Sequence, residues 1–292
     1  MKDAPLRVLI TGAGGQLGKA LIAAAPAGAV VRSVIHAELD IADPAAVAVV
    51  FRDLAPQLVL NAAAFTAVDD AQRSPGAAQR TNATGPEVLA AACATAGAWL
   101  THVSTDYVFD GAQSRPYGTG AKPQPLNVYG HTKLAGETAV LEQLAQASTV
   151  VRASWLYSAH GGFAARMLAL MQSRPQLSVV ADQVGVPTSA HGLAQVLWSL
   201  SARRAMGLWH WCDSGVASWY DFAVAIAETA VDLKLLPAAP AITPIASADY
   251  PTAAARPPYS VLDKRATEKL LGITAPHWRS ALRTTLGELA HA

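Results

Sequence analysis

The chain is poor in the residues that would commit it to several large classes of protein. Only two of its 292 residues are cysteines, Cys93 and Cys212, and they stand far apart. Neither a disulfide framework nor a CxxC-type zinc site is indicated, and the low count fits a reducing, cytoplasmic compartment. Charged residues make up just 15% and nearly cancel, 22 basic against 21 acidic. No basic footprint for nucleic acid or anionic membrane stands out. Long apolar runs are missing as well. Ala20 to Val31 contains Pro26 and is closed by Lys19 and Arg32, whereas a membrane-spanning helix needs about 20 apolar residues. The run after Met1-Lys2-Asp3-Ala4-Pro5 is too short for a signal peptide, so none is expected. The eight histidines show no HxxxH or HExxH spacing, so no metal ligands are expected. Repeats and low-complexity tracts are absent too.

What is present is an apolar half, 52% of residues, arranged in alternation. Strand-like Leu6–Thr11, Val30–Ile35, Leu58–Asn61, Trp99–Ser104 and Thr149–Ala153 alternate with helical stretches. Those are Gln16–Ala25, Pro44–Leu54 with Asp43 as N-cap, Gly85–Ala96 and Lys133–Ala145. Such alternation predicts right-handed βαβ units, hence an α/β fold with a doubly wound parallel sheet of Rossmann type. From about Ala159 the rhythm changes to helices at Phe163–Ser173, His191–Ser201 and Ser218–Ala230 among Pro-rich segments. This predicts a first domain over 1–158, to which later strands return. A smaller C-terminal α/β substrate-binding lobe is expected over 159–292.

Thr11-Gly12-Ala13-Gly14-Gly15-Gln16-Leu17-Gly18 lies between the first strand and first helix. Gly12 permits a tight turn, Gly15 lets the backbone approach a pyrophosphate, and Gly18 lets helix and strand pack closely. The helix N-terminus offers free N–H groups to phosphates, so a dinucleotide site is expected here. An acidic residue about 20 positions on would read a ribose 2′-hydroxyl, and an arginine a 2′-phosphate. The second strand ends Val31-Arg32-Ser33-Val34-Ile35-His36. One reading has Arg32 accept the phosphate of NADPH; the other leaves Arg32 in solvent and gives the adenosine half, and NADH, to Glu38 or Asp40.

Tyr129 and Lys133 stand four apart, on one face where a loop becomes a helix. A tyrosine with pKa near 10 is a poor acid–base group unless a nearby ammonium stabilises its phenolate. Thr105 ends a sheet strand, where ligands of open α/β sheets bind, and its hydroxyl suits a carbonyl being reduced. His102 and His131 read as structural or solvent-facing. Trp209, Trp211 and Trp219 read as core packing under the small lobe, with stacking on a base as the alternative.

These features resemble the extended short-chain dehydrogenase/reductase superfamily, and within it the dTDP-4-dehydrorhamnose reductase family. The matching runs are Asn61 to Asp69, Ser104 to Gly111, Pro125-Leu126-Asn127-Val128-Tyr129-Gly130, Thr132 to Glu137, Arg152 to Tyr157 and Asp182-Gln183-Val184-Gly185-Val186-Pro187-Thr188. The resemblance implies an NADPH-dependent reductase of a dTDP-4-keto-6-deoxy sugar, working as monomer or homodimer in nucleotide-sugar and cell-surface polysaccharide synthesis. A 4-ketoreductase or epimerase for another nucleotide sugar, or a non-catalytic regulatory subunit of the same fold, is the alternative. Tyr129, Lys133 and Thr105 would be catalytic. The cofactor would meet Gly12, Gly15, Gln16, Leu17, Gly18, Arg32, Asp40, Ile41, Ala62, Ala63, Ala64 and Thr66, with Tyr129 and Lys133. Thr105, Asp106 and Trp155 would contact the sugar, and Gln183, Thr188 and Arg256 the diphosphate. Taken alone, Trp155 would read as a core aromatic. Two departures stand out. Tyr259 follows Arg256-Pro257-Pro258 where relatives often carry Asn. His191 stands where a carboxylate would help hold the Mg²⁺ of some family members, so Mg²⁺ is not expected, although Glu288 remains.

Overall fold

A computed structural model describes residues 5–290. The Met1–Ala4 stretch, part of the reading that no signal peptide is present, lies outside the described residues. Five parallel strands, β1 (Arg7–Thr11), β2 (Val30–Val34), β3 (Leu58–Asn61), β4 (Trp99–Thr105) and β5 (Ser148–Ala153), form most of one sheet. A sixth strand, Gly207–Trp211, returns from the second half of the chain and pairs with β5. The order is Gly207–Trp211, β5, β4, β3, β1, β2, and every pairing is parallel. The chain reverses its direction of winding between β1 and β3, which leaves a crevice at their carboxyl ends.

Alternation along β1 divides the core. Val8 and Ile10 face one layer, with Leu17, Leu21, Leu197 and Trp211. Leu9 faces the other, with Val47, Phe51, Leu89 and Val140. The first layer carries helix α1 (Gln16–Ala23) and helix Ala190–Ala202. Opposite them lie helices α2 (Pro44–Leu54), Gly85–Ala96 and Val128–Gln143. Asp43 caps α2 as expected, its carboxylate accepting from the N–H groups of Ala45 and Ala46. Helix Val128–Gln143 begins five residues earlier than its apolar pattern implied, because the Asn127 side chain accepts from Gly130 N–H at 2.8 Å.

A separate core holds Met167, Leu168, Phe222, Ile226, Trp278 and Leu282, from helices Gly162–Ser173, Trp219–Asp232 and Trp278–Ala290. The tryptophans divide differently from the expectation. Trp211 is buried in the large-sheet core and Trp209 packs against it, whereas Trp219 packs against the small-lobe core as expected and also lines a cavity between the two cores. Among the described residues no helix is long and apolar enough to cross a membrane.

Candidate active site

One cavity of about 1030 Å³ opens at the carboxyl edge of the sheet, between the two cores. Its floor is the glycine loop. Gly12 sits at φ +71, and a Cβ there would lie 2.6 Å from the backbone of Ala62 and Ala63. A Cβ on Gly18 would lie 2.2 Å from Gly12 O, so α1 packs on the loop only because that residue has none. Gly15 is the N-cap of α1 and provides no side-chain cap. The first N–H groups of the helix therefore remain available at a positive dipole end. Gly12, Gly15, Gln16, Leu17, Asp40, Ile41, Ala62, Ala63, Ala64 and Thr66 all line the cavity. Gly18 works from behind as a packing residue.

Arg32 is the exception. It stands exposed on β2, the edge strand, outside the cavity lining. The wall at that end is built from Ile35, His36, Asp40 and Arg80, and the Arg80 guanidinium pairs with Asp40 at 2.8 Å. Nothing in the local sequence around Arg80 marks it, because its partner is forty residues away.

The reacting end gathers Thr105, Asp106, Tyr129 and Lys133. Burial pushes the Tyr129 phenol up to about 12, with the Thr105 hydroxyl working against the rise and the Asp106 carboxyl adding to it. Lys133 is fully buried, and burial brings its ammonium down to about 8 against the pull of Glu137. Its Nζ donates to Val103 O at 2.6 Å and meets His102 Nε2 at 3.4 Å. The expected lowering of the tyrosine by the lysine is thus not what governs this state of the site, where loss of water outweighs it.

Behind Lys133 runs a polar chain that periodicity could not disclose. Thr11 Oγ1 donates to Asn61 Oδ1 at 2.7 Å, and Ala63 N–H donates to the same oxygen at 3.1 Å. Those two donors fix the amide orientation, so Asn61 Nδ2 donates to His102 Nδ1 at 3.0 Å. His102 is then a neutral imidazole with its proton on Nε2, facing the lysine. The signal available in sequence was only that Asn61 and His102 are polar residues within buried strands.

The far wall is aromatic. Trp155 and Trp219 stack face to face at 3.5 Å and 4°. Trp155 holds φ +43, a backbone region costly for a bulky residue. Its carbonyl accepts from Thr188 N–H at 3.1 Å, and the neighbouring Ser154 hydroxyl donates to Val186 O at 2.8 Å. A Cβ on Gly185 would lie 2.4 Å from the indole, which gives the Gly-x-Pro-Thr run its physical meaning. Trp219 Nε1 donates to Gln183 Oε1 at 3.2 Å. Gln183 and Thr188, expected at the diphosphate, lie outside the lining and brace the two indoles. Arg256 also lies outside it, in an ion pair with Asp69 at 2.7 Å.

Residues 6–291 match the family model described as RmlD substrate binding domain. A dTDP-4-dehydrorhamnose reductase of Mycobacterium tuberculosis is 42% identical, over 98% of this chain and 94% of its own. The chain belongs to the dTDP-4-dehydrorhamnose reductase family. A family member from Escherichia coli (strain K12) is 37% identical over 97% of this chain and 98% of its own. The solved structure of another, from Bacillus anthracis in complex with NADP, superposes with a TM-score of 0.91 at 34% identity. It covers 97% of this chain and 99% of that one.

Proposed function

We propose that the protein reduces dTDP-4-dehydro-6-deoxy-L-mannose (dTDP-4-dehydrorhamnose) to dTDP-L-rhamnose with NADPH, serving nucleotide-sugar and cell-surface polysaccharide synthesis in the cytoplasm. What carries this reading is one cavity that joins an uncapped helix N-terminus to Thr105, Tyr129 and Lys133. Full-length similarity to reductases of that name supports the choice of sugar. The residues present fit a dinucleotide. Gly12 and Gly18 leave the loop no room for side chains, and the amide groups of α1 offer a pyrophosphate its donors.

When bound, the cofactor supplies the hydride. Gly15, Gln16 and Leu17 hold the pyrophosphate, and Asp40 and Ile41 the adenosine half. Ala62, Ala63 and Ala64 let the backbone approach the cofactor, and Thr66 stands near the nicotinamide. Tyr129 holds the proton at its phenol oxygen and releases it to C4 oxygen as negative charge develops there. That charge, absent from the ground state, is what makes an acid with a raised pKa useful. Lys133 brings positive charge beside the phenolate left behind. Trp155 covers the sugar and excludes water, with Trp219 behind it.

The test is NADPH oxidation with the product of a coupled dTDP-glucose dehydratase and epimerase. Consumption with one reduced sugar nucleotide formed per NADPH is expected. No turnover of this sugar beside turnover of another 4-keto nucleotide sugar would move the protein to that substrate.

A further inference from the structure

The Thr105 hydroxyl has one proton and more than one claimant for it. Its oxygen accepts from Tyr107 N–H at 3.1 Å, and Oγ1 lies 3.0 Å from Asp106 Oδ1. It also faces the Tyr129 phenol. Beside an ionised Asp106, which can only accept, Thr105 must donate to the carboxylate. A carbonyl in the cavity would then find no donor at Thr105. Beside a protonated Asp106 the direction reverses. The carboxylic acid donates to Thr105, and the threonine proton is released toward the substrate.

The surroundings of Asp106 favour the protonated form. Its side chain is buried, at 2% exposure, and lines the cavity, and its side-chain partners are two neutral hydroxyls, those of Thr105 and Ser260. Tyr107 adjoins it in sequence, with Arg256 and Asp69 acting on that tyrosine from behind. Tyr129 faces it from helix Val128–Gln143, and Ser260 lies beside it from the C-terminal segment. Cys212, past the end of the returning strand, stands within its field, and that cysteine in turn feels Asp213 and Lys264. No cation closes an ion pair on Asp106 among the described residues. Burial pushes the carboxyl up to about 7, opposed by Ser260 and Thr105.

We propose that Asp106 works as a neutral acid and is a positioning residue: protonated, it turns the Thr105 hydroxyl toward the C4 oxygen of the bound ketone. Ionised, it captures that hydroxyl and sets a second negative charge beside the forming alkoxide. This rests on the reductase reading above and adds to it a proton that is held in place and not consumed.

Turnover of the wild type should then fall about tenfold per pH unit as pH rises through about 7. Deprotonation of Lys133 at about 8 takes positive charge from beside Tyr129 and adds a second limb just above the first, whereas Tyr129 itself ionises far away, near 12. Asp106→Asn, whose amide donates at every pH, should stay within roughly tenfold of the wild type, lose the limb at about 7 and keep only that of Lys133 at about 8. Asp106→Ala keeps the Thr105 hydroxyl but leaves it unaimed, and should fall below Asp106→Asn by more than tenfold, at most by the roughly 10²–10³-fold of one missing oxyanion donor. Infrared difference spectra of the protein alone, wild type minus Asp106→Asn, should show a carboxylic-acid carbonyl band. The band should disappear with the midpoint of the limb at about 7. Persistence of the limb at about 7 in Asp106→Asn, or equal activity in the Asn and Ala variants, would overturn the proposal. So would a carboxylate signature on the acid side of neutrality. If the wild type turns over no ketone, the reductase reading fails instead, and the infrared titration still decides the state of Asp106.

Discussion

Tyr129 carries the proton in this reading, and removing its oxygen removes nothing else. Tyr129→Phe should bind NADPH as the wild type does while kcat falls roughly 10²–10⁴-fold. Fluorescence titration and steady-state rates separate the two. Lys133 makes a different prediction, on stability. Unfolded, the amine binds its proton up to about 10.4, whereas folded it does so only up to about 8. Between those values the unfolded chain binds more protons, so stability should rise with pH by up to about 3 kcal/mol. Lys133→Met should lose both turnover and this rise. Denaturant melts across the range would show parallel lines for the two proteins if the lysine were not desolvated. Tyr129, Lys133 and Thr105 were legible in sequence because their spacing and place after a strand are local. Where Gln183 and Arg256 stand, outside the cavity lining, could not be read, because partners far along the chain decide where they point. Arg256 answers to Asp69, 187 residues away.

Elements with a clear period were read to within a few residues, α2, β3 and Gly85–Ala96 among them. Helices Val68–Arg73 and Pro75–Gln79 and the π turn Arg80–Thr84 were not read at all. Their segment is polar, short and interrupted by Pro75 and holds its shape through tertiary bonds. Asn82, for instance, accepts from Phe65 N–H and donates to Phe65 O. Helix Trp278–Ala290 was also missed, its apolar face being visible only against the second core. The aromatic wall allows an element-scale test. Gly185→Ala should push the Trp155 indole out of its stack, since the added carbon would lie 2.4 Å from it. Overpacking of this kind costs about 1–3 kcal/mol. KM for the sugar nucleotide should rise with NADPH binding intact. An unchanged KM would mean Trp155 does not meet the sugar.

Asp69, in helix Val68–Arg73, is tied to the C-terminal segment by Arg256, the side chains being 32% and 19% exposed. Arg256 and the Ala254 N–H together hold the Asp69 carboxyl below its ordinary range. Asp69→Asn should cost about 1 kcal/mol near neutrality. A depressed carboxyl contributes fully above its unfolded pKa of about 3.9 and stops contributing as pH falls through its folded value. The melting points of variant and wild type should therefore converge in acid. A constant gap would assign the loss to packing. The proposed division at residue 158 marks where the sequence changes rhythm, and strand Gly207–Trp211, from beyond it, returns to lie against β5.

That returning strand has a consequence during synthesis. When β5 leaves the ribosome its outer edge has no neighbour, and more than fifty residues separate Ala153 from Gly207. At about 5–20 residues per second the wait lasts roughly 3–10 s. Throughout it, the backbone groups of Ser148–Ala153 are open to the matching edge of another nascent chain. A stop anywhere in that interval would leave the edge open permanently. Fragments ending between 158 and 206 should accumulate as aggregates, and the shortest soluble product should include Trp211.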